Sequence, residues 1–451
     1  MQSRVPSLRG PATPVWSAEH GLNGGTSSPE TFGPVSDPAP LVHGSLPLAA
    51  SGGRIALVVA DGAGDLATAG TGWRTPLEAA RTPNLDALCA HGDLGLLHPA
   101  HPGITLGSVS GHLALFGYDP LRTRLRRGAV DALGMGLPMR PGDVALRGNL
   151  ATVDADGRIT DRRAGRPTDE EGARALEAVT EATAHLEGVR VTIRHTKGHR
   201  FSLVLHGAGL DDRVTDTDPQ QTGVPVRDAQ ALHPAAQRTA ELLNRFTELA
   251  GSALRPLGGP ANTVLLRGAS SLPHLTPFPQ GYRLRALALA AYPTYRGVAQ
   301  ACGMDVATPW PESIEETIER AAQALERGDY DFVFAHHKAT DQAGEDGDFE
   351  AKVAAIERLD RALEPLLRKP PDVLVVTADH STPVALRQHG WQPVPLLLVS
   401  RWTGARQQGA RWTERDARGG ALGVLRAVDL MPLVLAHAQR LQKIDGEGDG
   451  D

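Results

Sequence analysis

The 451-residue chain contains little cysteine and no long hydrophobic segment. Its two cysteines, Cys89 and Cys302, cannot form a disulfide framework, and the residues around them favour small buried hydrophobic side chains in helices. No apolar run approaches the roughly 18 residues of a membrane-spanning helix, so we expect no membrane partner. A chain of this length can instead bury a large core, in about three domains or in two large ones.

The chain also lacks an excess of basic residues. It has 46 lysines and arginines against 52 aspartates and glutamates, a net charge of -6, and no clustered basic stripe. This balance argues against nucleic acid as the main partner. One short basic segment, LRTRLRRG at 121–128, either faces a substrate or simply lies at the surface.

Residues 1–50 are rich in proline, glycine and serine and show no periodicity. They are interpreted as a disordered leader or an over-extended start of the sequence. They also lack a secretory hydrophobic segment, so we predict a cytoplasmic protein. Ordered structure is predicted to begin at Arg54, and residues 441–451 are predicted to form a short disordered tail.

Four apolar segments of strand length indicate a parallel α/β sheet. They are GRIALVVADG, beginning near Arg54, then YDFVFAHH (330–337), PDVLVVTADH (371–380) and PVPLLLVS (393–400). Their near-continuous apolar character is typical of strands buried on both faces. Between the second and third, FEAKVAAIERLDRALEPLL has apolar residues at helical spacing, namely Val353, Ile356, Leu359 and Leu363. This strand–helix–strand alternation predicts parallel pairing.

The middle of the chain has a different pattern. RGNLATVDADGRITDRRAG is predicted to form two strands around a DADG turn, and VRVTIRHTKGHRFSLVLHG to form a hairpin at Lys197 and Gly198. Helical patterns lie between and after these segments. We therefore predict an α+β domain at 138–280, inserted into a parallel domain made of residues 54–137 and 281–440.

Side chains of metal-ligand type follow three separate predicted strands. In an open parallel sheet these strand ends meet at one edge, where ligands bind. Any one of these residues alone is more often a turn or cap residue, but their convergence suits two ions of the Mn²⁺ or Zn²⁺ type better than calcium. The residues are Asp61, Asp341, Glu345, Asp379, His380 and His389.

The acidic segment KATDQAGEDGDFEAK has three possible explanations: a helix start, a calcium loop or part of a metal site. A calcium loop is excluded because the order of residues after Asp341 does not match an EF-hand. We interpret Asp341 and Glu345 as half of a metal site. Asp348 and Glu350 lie where a helix dipole favours negative charge, whereas Asp346 is unassigned.

Ser108 is the candidate nucleophile. A serine hydroxyl needs a base or a metal to become an alkoxide at neutral pH. The stretch GSVSGHLAL places Ser108 in a glycine-flanked loop before a helix, where backbone N–H groups can also face a phosphate. The alternative, equally compatible with the local sequence, is that Ser108 or Ser110 is only a helix N-cap. His112 is better explained as a helix or core histidine.

Several longer motifs lie in order along the chain. They are D-G-x-G-D at Asp61–Asp65, TPNLDAL, GSVSGHLALFGYDP, RGNLATVD…ITDRRAGR, KATDQAGEDGDFEAKVAAIERLD and TADHSTP. Together they resemble the cofactor-independent phosphoglycerate mutases, most closely the archaeal-type branch, within the alkaline phosphatase superfamily. The resemblance runs from about residue 54 to 440 and implies a two-metal phosphatase-like domain with an inserted lid. It also implies that a serine takes phosphate from 3- or 2-phosphoglycerate, in glycolysis and gluconeogenesis, and returns it to the other hydroxyl.

When the functional residues of the family are matched to this sequence by position, the resemblance implies that Ser108 is phosphorylated. It also implies that two divalent ions bind nearby, with Mn²⁺ favoured over Mg²⁺ or Zn²⁺. The matching residues are Asp61, Ser108, Asp379 and His380 for one ion, and Asp341 and His389 for the other. Two positions depart from the family pattern. Glu345 stands where a histidine ligand is common, and Val109 stands where an acidic residue often follows the nucleophile.

A phosphate and a carboxylate also need cationic partners, and the fork of arginine matches both groups. DRRAGR (161–166) supplies Arg162, Arg163 and Arg166, while RGN supplies Arg147. Because the resemblance places this stretch against the substrate, we predict that Arg163 and Arg166 bind it. The weaker candidates are Arg200, Arg267 and Lys338.

Two other functions stay open at the level of sequence. The same site could serve a phosphatase or phosphonate hydrolase that acts on a related small phosphorylated acid, with water as the phosphate acceptor. Glu345 and Val109 also allow a metal-binding regulator without catalytic activity, although the retained serine argues against it. The arginine-rich insert favours the mutase, and the oligomeric state is left undetermined.

Overall fold

The computed structural model describes residues 46–404 and 408–443. Most of the predicted leader and most of the predicted tail lie outside these described residues. Where the two segments are described, Leu48 pairs with Leu441 in an isolated antiparallel bridge. This bridge joins the first and last parts of the described chain.

The first sheet is largely parallel and comes from the segments on either side of the predicted insert. Its eight strands, numbered in chain order and given in spatial order, are β10 (Asp305–Val306), β9 (Ala286–Leu289), β11 (Phe332–His337), β1 (Ile55–Ala60), β12 (Val373–Thr377), β13 (Val394–Ser400), β2 (Asp93–His98) and β14 (Gly423–Arg426). β1 pairs in parallel with β11 and β12, and β9 pairs in parallel with β10 and β11. The predicted α/β class with a parallel sheet is thereby confirmed.

β13 is an exception, because it pairs antiparallel with both β12 and β2. The apolar pattern correctly predicts a buried strand there, but it does not reveal the direction. Parallel neighbours need a crossover, usually a helix, whereas residues 378–393 turn back without one. This turn carries Asp379, His380 and His389, so the reversal of the chain itself delivers three of the predicted ligands.

The second sheet is antiparallel and comes from the middle of the chain. Its strands, in spatial order, are β4 (Ile159–Asp161), β3 (Val144–Val153), β7 (Arg200–His206), β6 (Val189–Lys197) and β5 (His185–Leu186), and β8 (Thr263–Ser270) also pairs with β3. The predicted hairpins at DADG and at Lys197 and Gly198 are confirmed. All six strands fall within 138–280, and the boundaries of an inserted domain stay a prediction.

The described residues form fourteen α-helices. They are α1 (Pro76–Ala79), α2 (Pro83–Cys89), α3 (Ser108–Leu115), α4 (Arg127–Gly134), α5 (Asp169–Thr183), α6 (Gln237–Leu254), α7 (Phe278–Tyr282), α8 (Pro293–Ala301), α9 (Ile314–Arg327), α10 (Ala339–Asp346), α11 (Phe349–Ala362), α12 (Glu364–Arg368), α13 (Glu414–Arg418) and α14 (Leu430–His437). The predicted helical segment FEAKVAAIERLDRALEPLL forms α11 and α12. In α11, Ile356 and Leu359 are fully buried, as their spacing predicts. Asp348 caps this helix by accepting the N–H of Ala351 at 2.9 Å, which confirms its helix-start role.

Both cysteines are buried and free, as the sequence predicts. Cys89 ends α2 and Cys302 follows α8. Burial raises the pKa of the Cys89 thiol to about 12, so this thiol stays protonated at neutral pH. Among the described residues, no helix combines the length and apolar character needed to cross a membrane.

Candidate active site

The carboxyl ends of three adjacent strands bring the predicted metal ligands together. Asp61 directly follows β1, and Lys338 directly follows β11. Asp379 and His380 lie just beyond β12. Because β1 lies between β11 and β12, these side chains meet at one edge of the sheet. Ser108 reaches the same edge from the start of α3.

The first cluster of donor atoms contains the buried residues Asp61, Asp379 and His380. His380 Nε2 lies 3.4 Å from Asp61 Oδ1 and 3.2 Å from Asp379 Oδ2. The same nitrogen lies 3.3 Å from Ser108 Oγ. The structure thus brings together the four residues predicted for one metal site, and their role as ligands stays a prediction.

The second cluster contains Asp341, His380 and His389. His389 Nε2 lies 3.6 Å from Asp341 Oδ1, and its ring stacks on that of His380 with the centroids 3.8 Å apart. Glu345 follows Asp341 by one turn of α10, and its Oε1 lies 3.8 Å from His389 Nε2. The Glu345 side chain is 53% exposed, so it lies at the rim of this cluster.

Lys338 offsets part of the negative charge in both clusters. Its Nζ donates to the Asp341 carboxylate and lies 3.3 Å from Asp61 Oδ2. Burial alone would lower the pKa of Lys338, but the two carboxylates outweigh burial and raise that pKa above its usual value. The ammonium group is therefore charged at neutral pH and lies where it can bind an anionic oxygen.

The two central carboxylates are held in their ionised form. Burial would raise the pKa of Asp379, but His380 and His112 overcome burial and hold the pKa well below its usual range. Burial and repulsion from Asp379 would likewise raise the pKa of Asp61, whereas the hydrogen bond from His336 helps to hold it low. Ionised carboxylates are the form that binds a cation.

The donor atoms of the two clusters fit divalent cations. Each cluster combines carboxylate oxygen with imidazole nitrogen, and its atoms lie within 4.8 Å of one another. Asp61 Oδ1 and Asp379 Oδ2 are buried and have no hydrogen-bond partner of good geometry among the described residues. A buried anionic oxygen without a donor is costly unless a cation neutralises it. Oxygen and imidazole donors together suit Mn²⁺, Mg²⁺ or Zn²⁺.

Two buried histidines that support the carboxylates were not identified from the sequence as site residues. His112 Nδ1 lies 2.8 Å from the Ser108 carbonyl oxygen and 3.1 Å from Asp379 Oδ2. His336 Nε2 lies 3.1 Å from Asp61 Oδ2, and burial lowers the pKa of His336 to about 4, which keeps it neutral. The sequence contains only weak indications that these histidines belong to the site. His112 follows Ser108 by one turn of α3, and His336 is the residue before the last one of β11.

Ser108 is the first residue of α3, and Gly107 is the N-cap. Neither Ser108 nor Ser110 occupies the N-cap position, so that alternative is wrong. Ser108 Oγ instead lies 3.3 Å from His380 Nε2. The N–H groups of the first turn of α3 have no preceding helical carbonyl oxygen to which they could donate. The N-terminus of a helix favours bound anions through these amides and through the helix dipole.

A cleft of about 860 Å³ opens beside the two clusters. Ser108, Lys338, Glu345 and His389 line its metal-ligand side. The cationic residues that also line it are Arg126, Arg127, Arg147 and Arg267. Two of the predicted substrate-binding residues, Arg267 and Lys338, therefore lie in the cleft.

The other three predicted substrate-binding residues do not line this cleft. Arg163 and Arg166 are exposed, and Arg166 lines a separate cavity of about 530 Å³. Arg200 lies opposite Asn149 on the neighbouring strand β3. The binding of substrate by these three arginines stays a prediction. Arg126 and Arg127, from the basic segment whose role the sequence left open, occupy the cleft instead.

Three of the cleft arginines, Arg127, Arg147 and Arg267, lie near the carboxylate of Asp131. Arg147 on β3 lies directly opposite Arg267 on β8, and Arg147 Nη1 lies 3.9 Å from Asp131 Oδ2 on α4. Burial raises the pKa of Asp131, although the nearby charges of Arg127 and Arg147 oppose this. Like charges opposite each other on adjacent strands repel. An anion bound between these arginines would relieve the repulsion.

Comparisons with known proteins identify relatives that cover most of the chain. A family profile described as 2,3-bisphosphoglycerate-independent phosphoglycerate mutase matches residues 89–256. A Thermus thermophilus protein named probable 2,3-bisphosphoglycerate-independent phosphoglycerate mutase is 47% identical over 392 residues, which cover 86% of this chain and 95% of that protein. A Deinococcus radiodurans protein of the same name is 45% identical over 395 residues, with the same two coverages.

Solved structures show the same fold. One is a protein from Pyrococcus horikoshii, with a TM-score of 0.73 and 30% identity, covering 88% of this chain and 100% of that one. Another is the cofactor-independent phosphoglycerate mutase from Thermoplasma acidophilum, with a TM-score of 0.69 and 29% identity, covering 86% and 100%. The resemblance found in the sequence is thus confirmed, and the chain belongs to the family of 2,3-bisphosphoglycerate-independent phosphoglycerate mutases.

Proposed function

We propose that this chain interconverts 3-phosphoglycerate and 2-phosphoglycerate by passing the phosphoryl group through Ser108. The observation that carries the proposal is the position of Ser108 Oγ, 3.3 Å from His380 Nε2 and beside two buried carboxylates. Family membership supports the overall reaction and the binding of divalent metal. The phosphoserine route rests on the geometry around Ser108.

Divalent ions held by the two clusters would favour the alkoxide form of a serine and offset negative charge on the phosphate. Asp61, Asp379 and His380 would hold one ion. Asp341 and His389 would hold the other, with Glu345 at its rim. Ser108 Oγ lies at the boundary of the first cluster, where an approaching phosphate would meet it.

The remaining steps use groups of the chain itself. Ser108 Oγ loses its proton and bonds to phosphorus as the P–O bond to glycerate breaks, and the departing glycerate oxygen takes up a proton in exchange. Lys338 and the first amides of α3 stabilise negative charge on the phosphoryl oxygens. After glycerate turns, its other hydroxyl loses its proton and bonds to phosphorus as the Oγ–P bond breaks, and Ser108 Oγ takes up a proton again.

The arginines of the cleft give the glycerate carboxylate a second point of attachment. Arg147 and Arg267 lie opposite each other in the second sheet and line the same cleft as Ser108. Their planar forks can hold a carboxylate in two hydrogen bonds. Retention of glycerate between the two transfers is what separates a mutase from a phosphatase, because water must not reach the phosphoserine first.

The overall reaction is tested with an enolase-coupled assay. Protein loaded with Mn²⁺ is given 3-phosphoglycerate without added 2,3-bisphosphoglycerate, and we expect 2-phosphoglycerate to form without comparable release of free phosphate. Free phosphate without 2-phosphoglycerate would favour the phosphatase. Two bound ions with no turnover of either kind would favour a silent regulator.

Glu345 leads to a prediction about metal preference. Carboxylate oxygen at a position where histidine is common should favour Mn²⁺ or Mg²⁺ over Zn²⁺. Metal-free protein reconstituted with each ion should therefore be most active with Mn²⁺ or Mg²⁺, and Glu345→His should move the preference toward Zn²⁺. Highest activity of the unchanged protein with Zn²⁺ would contradict this prediction.

Arg267 leads to a prediction about substrate affinity. Arg267→Ala should raise KM about tenfold or more, because a charged hydrogen bond to the substrate is lost. Arg245→Ala is the matched control, since Arg245 is exposed on α6 and paired with Glu248.

Arg163→Ala, measured in parallel, tests the insert loop: a raised KM would support the contact of Arg163 with substrate, and unchanged kinetics would remove Arg163 from the site.

A further inference from the structure

Lys352 on α11 is fully buried, which is rare for a lysine unless its charge is paired. Its Nζ donates to Asp65 Oδ2 at 2.8 Å and to the Thr382 carbonyl oxygen at 2.8 Å. It also donates to the Gly64 carbonyl oxygen at 3.1 Å. The three protons of the ammonium group therefore have three acceptors, and none of these belongs to α11 itself.

These acceptors lie in the two turns that carry the first cluster. The first ligand turn (61–65) follows β1, and the second ligand turn (379–384) follows β12. The turns also bond directly, because the N–H of Thr382 lies 3.2 Å from the Gly62 carbonyl oxygen and 3.1 Å from that of Gly64. Lys352 thus bridges the two turns, and it does not line the cleft.

The same bridge reaches the second cluster. Thr382, whose carbonyl accepts from Lys352, donates its hydroxyl to Asp341 Oδ1 at 2.5 Å. Asp65, the ionic partner of Lys352, also accepts the N–H of Val384 at 3.1 Å. One ammonium group is therefore connected to both turns of the first cluster and, through Thr382, to a carboxylate of the second.

A buried ion pair is a costly way to gain stability. Removing two charges from water usually costs as much as their attraction returns, and apolar replacements often stabilise a protein equally well. Burial accordingly lowers the pKa of Lys352, although the Asp65 carboxylate opposes this. The directed hydrogen bonds of Lys352 fix relative positions, which an apolar side chain could not do.

We propose that Lys352 is a positioning residue that sets the separation of the two ligand turns, and with it the spacing of the Asp61 and Asp379 carboxylates around a divalent ion. The proposal rests on the metal site of the proposed function. Lys352 touches neither of these carboxylates. It acts through Gly64, Asp65 and Thr382.

Lys352→Met tests this role, with the affinity for Mn²⁺ as the readout. The affinity is measured on metal-free protein by titration with Mn²⁺ and detection of the free ion by electron paramagnetic resonance. We expect Mn²⁺ affinity to fall about tenfold or more, as for other residues that orient metal ligands. Leu243→Ala, in the buried core beside the second sheet, is the control for lost stability and should keep the affinity of the unchanged protein.

Asp65→Asn is the second variant, because it keeps an oxygen beside Lys352 Nζ and changes little in volume. Asp65→Asn should weaken Mn²⁺ binding, but by a smaller factor than Lys352→Met. It also allows the proposal to be tested if Lys352→Met does not fold. The proposal would be overturned if either variant folds and binds Mn²⁺ with the affinity of the unchanged protein. Failure of the unchanged protein to bind Mn²⁺ would instead overturn the metal site itself.

Discussion

Replacing Ser108 by alanine is expected to lower the rate of phosphoglycerate interconversion by at least about 10⁴-fold. The protein then has no oxygen at this position to accept the phosphoryl group. Ser108 makes no capping hydrogen bond to α3, so alanine should leave the fold and the melting temperature nearly unchanged. The enolase-coupled rate and a thermal melt, measured on the same sample, check both parts of the prediction.

Ser110→Ala provides the matched control. Ser110 lines the same cleft two residues later in α3, so its replacement perturbs the same loop without removing the proposed nucleophile. We expect activity close to that of the unchanged protein. Substantial activity in Ser108→Ala would contradict the phosphoserine route, and equal loss in both variants would point to the loop rather than to one hydroxyl.

Replacing Asp379 by asparagine is expected to abolish both activity and stabilisation by metal. The substitution keeps the side-chain volume and an oxygen for the N–H of Gly62, which lies 3.1 Å from Asp379 Oδ1. It removes one of the two buried negative charges of the first cluster, so the response of each protein to Mn²⁺ is measured against its own metal-free form. Mn²⁺ at a hundredfold excess over Kd should stabilise the parent by about 2.7 kcal/mol and the variant by far less.

Thermal melts with and without Mn²⁺ measure this difference. Asp346→Asn is the control, because Asp346 is also an acidic residue but is exposed at the end of α10 and belongs to neither cluster. It should respond to Mn²⁺ like the parent. Equal stabilisation of Asp379→Asn and the parent would show that Asp379 does not hold the ion.

The metal-ligand side of the site could be predicted because its residues follow apolar strands. Continuous apolar runs identify β1, β11 and β12, and parallel pairing then brings Asp61 and Asp379 to one edge. The direction of β13 could not be predicted, since it depends on how residues 378–393 turn back. The roles of His112 and His336 depend on which carboxylate each one meets, and local patterns do not contain that information.

The arginine side of the cleft was harder to predict for a related reason. Arg147 and Arg267 are far apart in sequence and meet only through the register of β3 against β8. Arg127 joins them because α4 begins at that residue beside the second sheet. The sequence instead favoured Arg163 and Arg166, which lie in a conspicuous basic motif but outside the cleft. A motif reveals residue types, whereas convergence on one cleft requires long-range packing.

The proposed route passes the phosphoryl group through Ser108, and trapping the phosphorylated protein would detect this intermediate. Mn²⁺-loaded protein is mixed with 3-phosphoglycerate that carries radioactive phosphorus and is quenched in acid within a single turnover. The peptide that contains Ser108 should carry the label, and the label should pass to 2-phosphoglycerate when the reaction is allowed to continue. Conversion to 2-phosphoglycerate with no labelled protein, or with the label on another residue, would contradict this account.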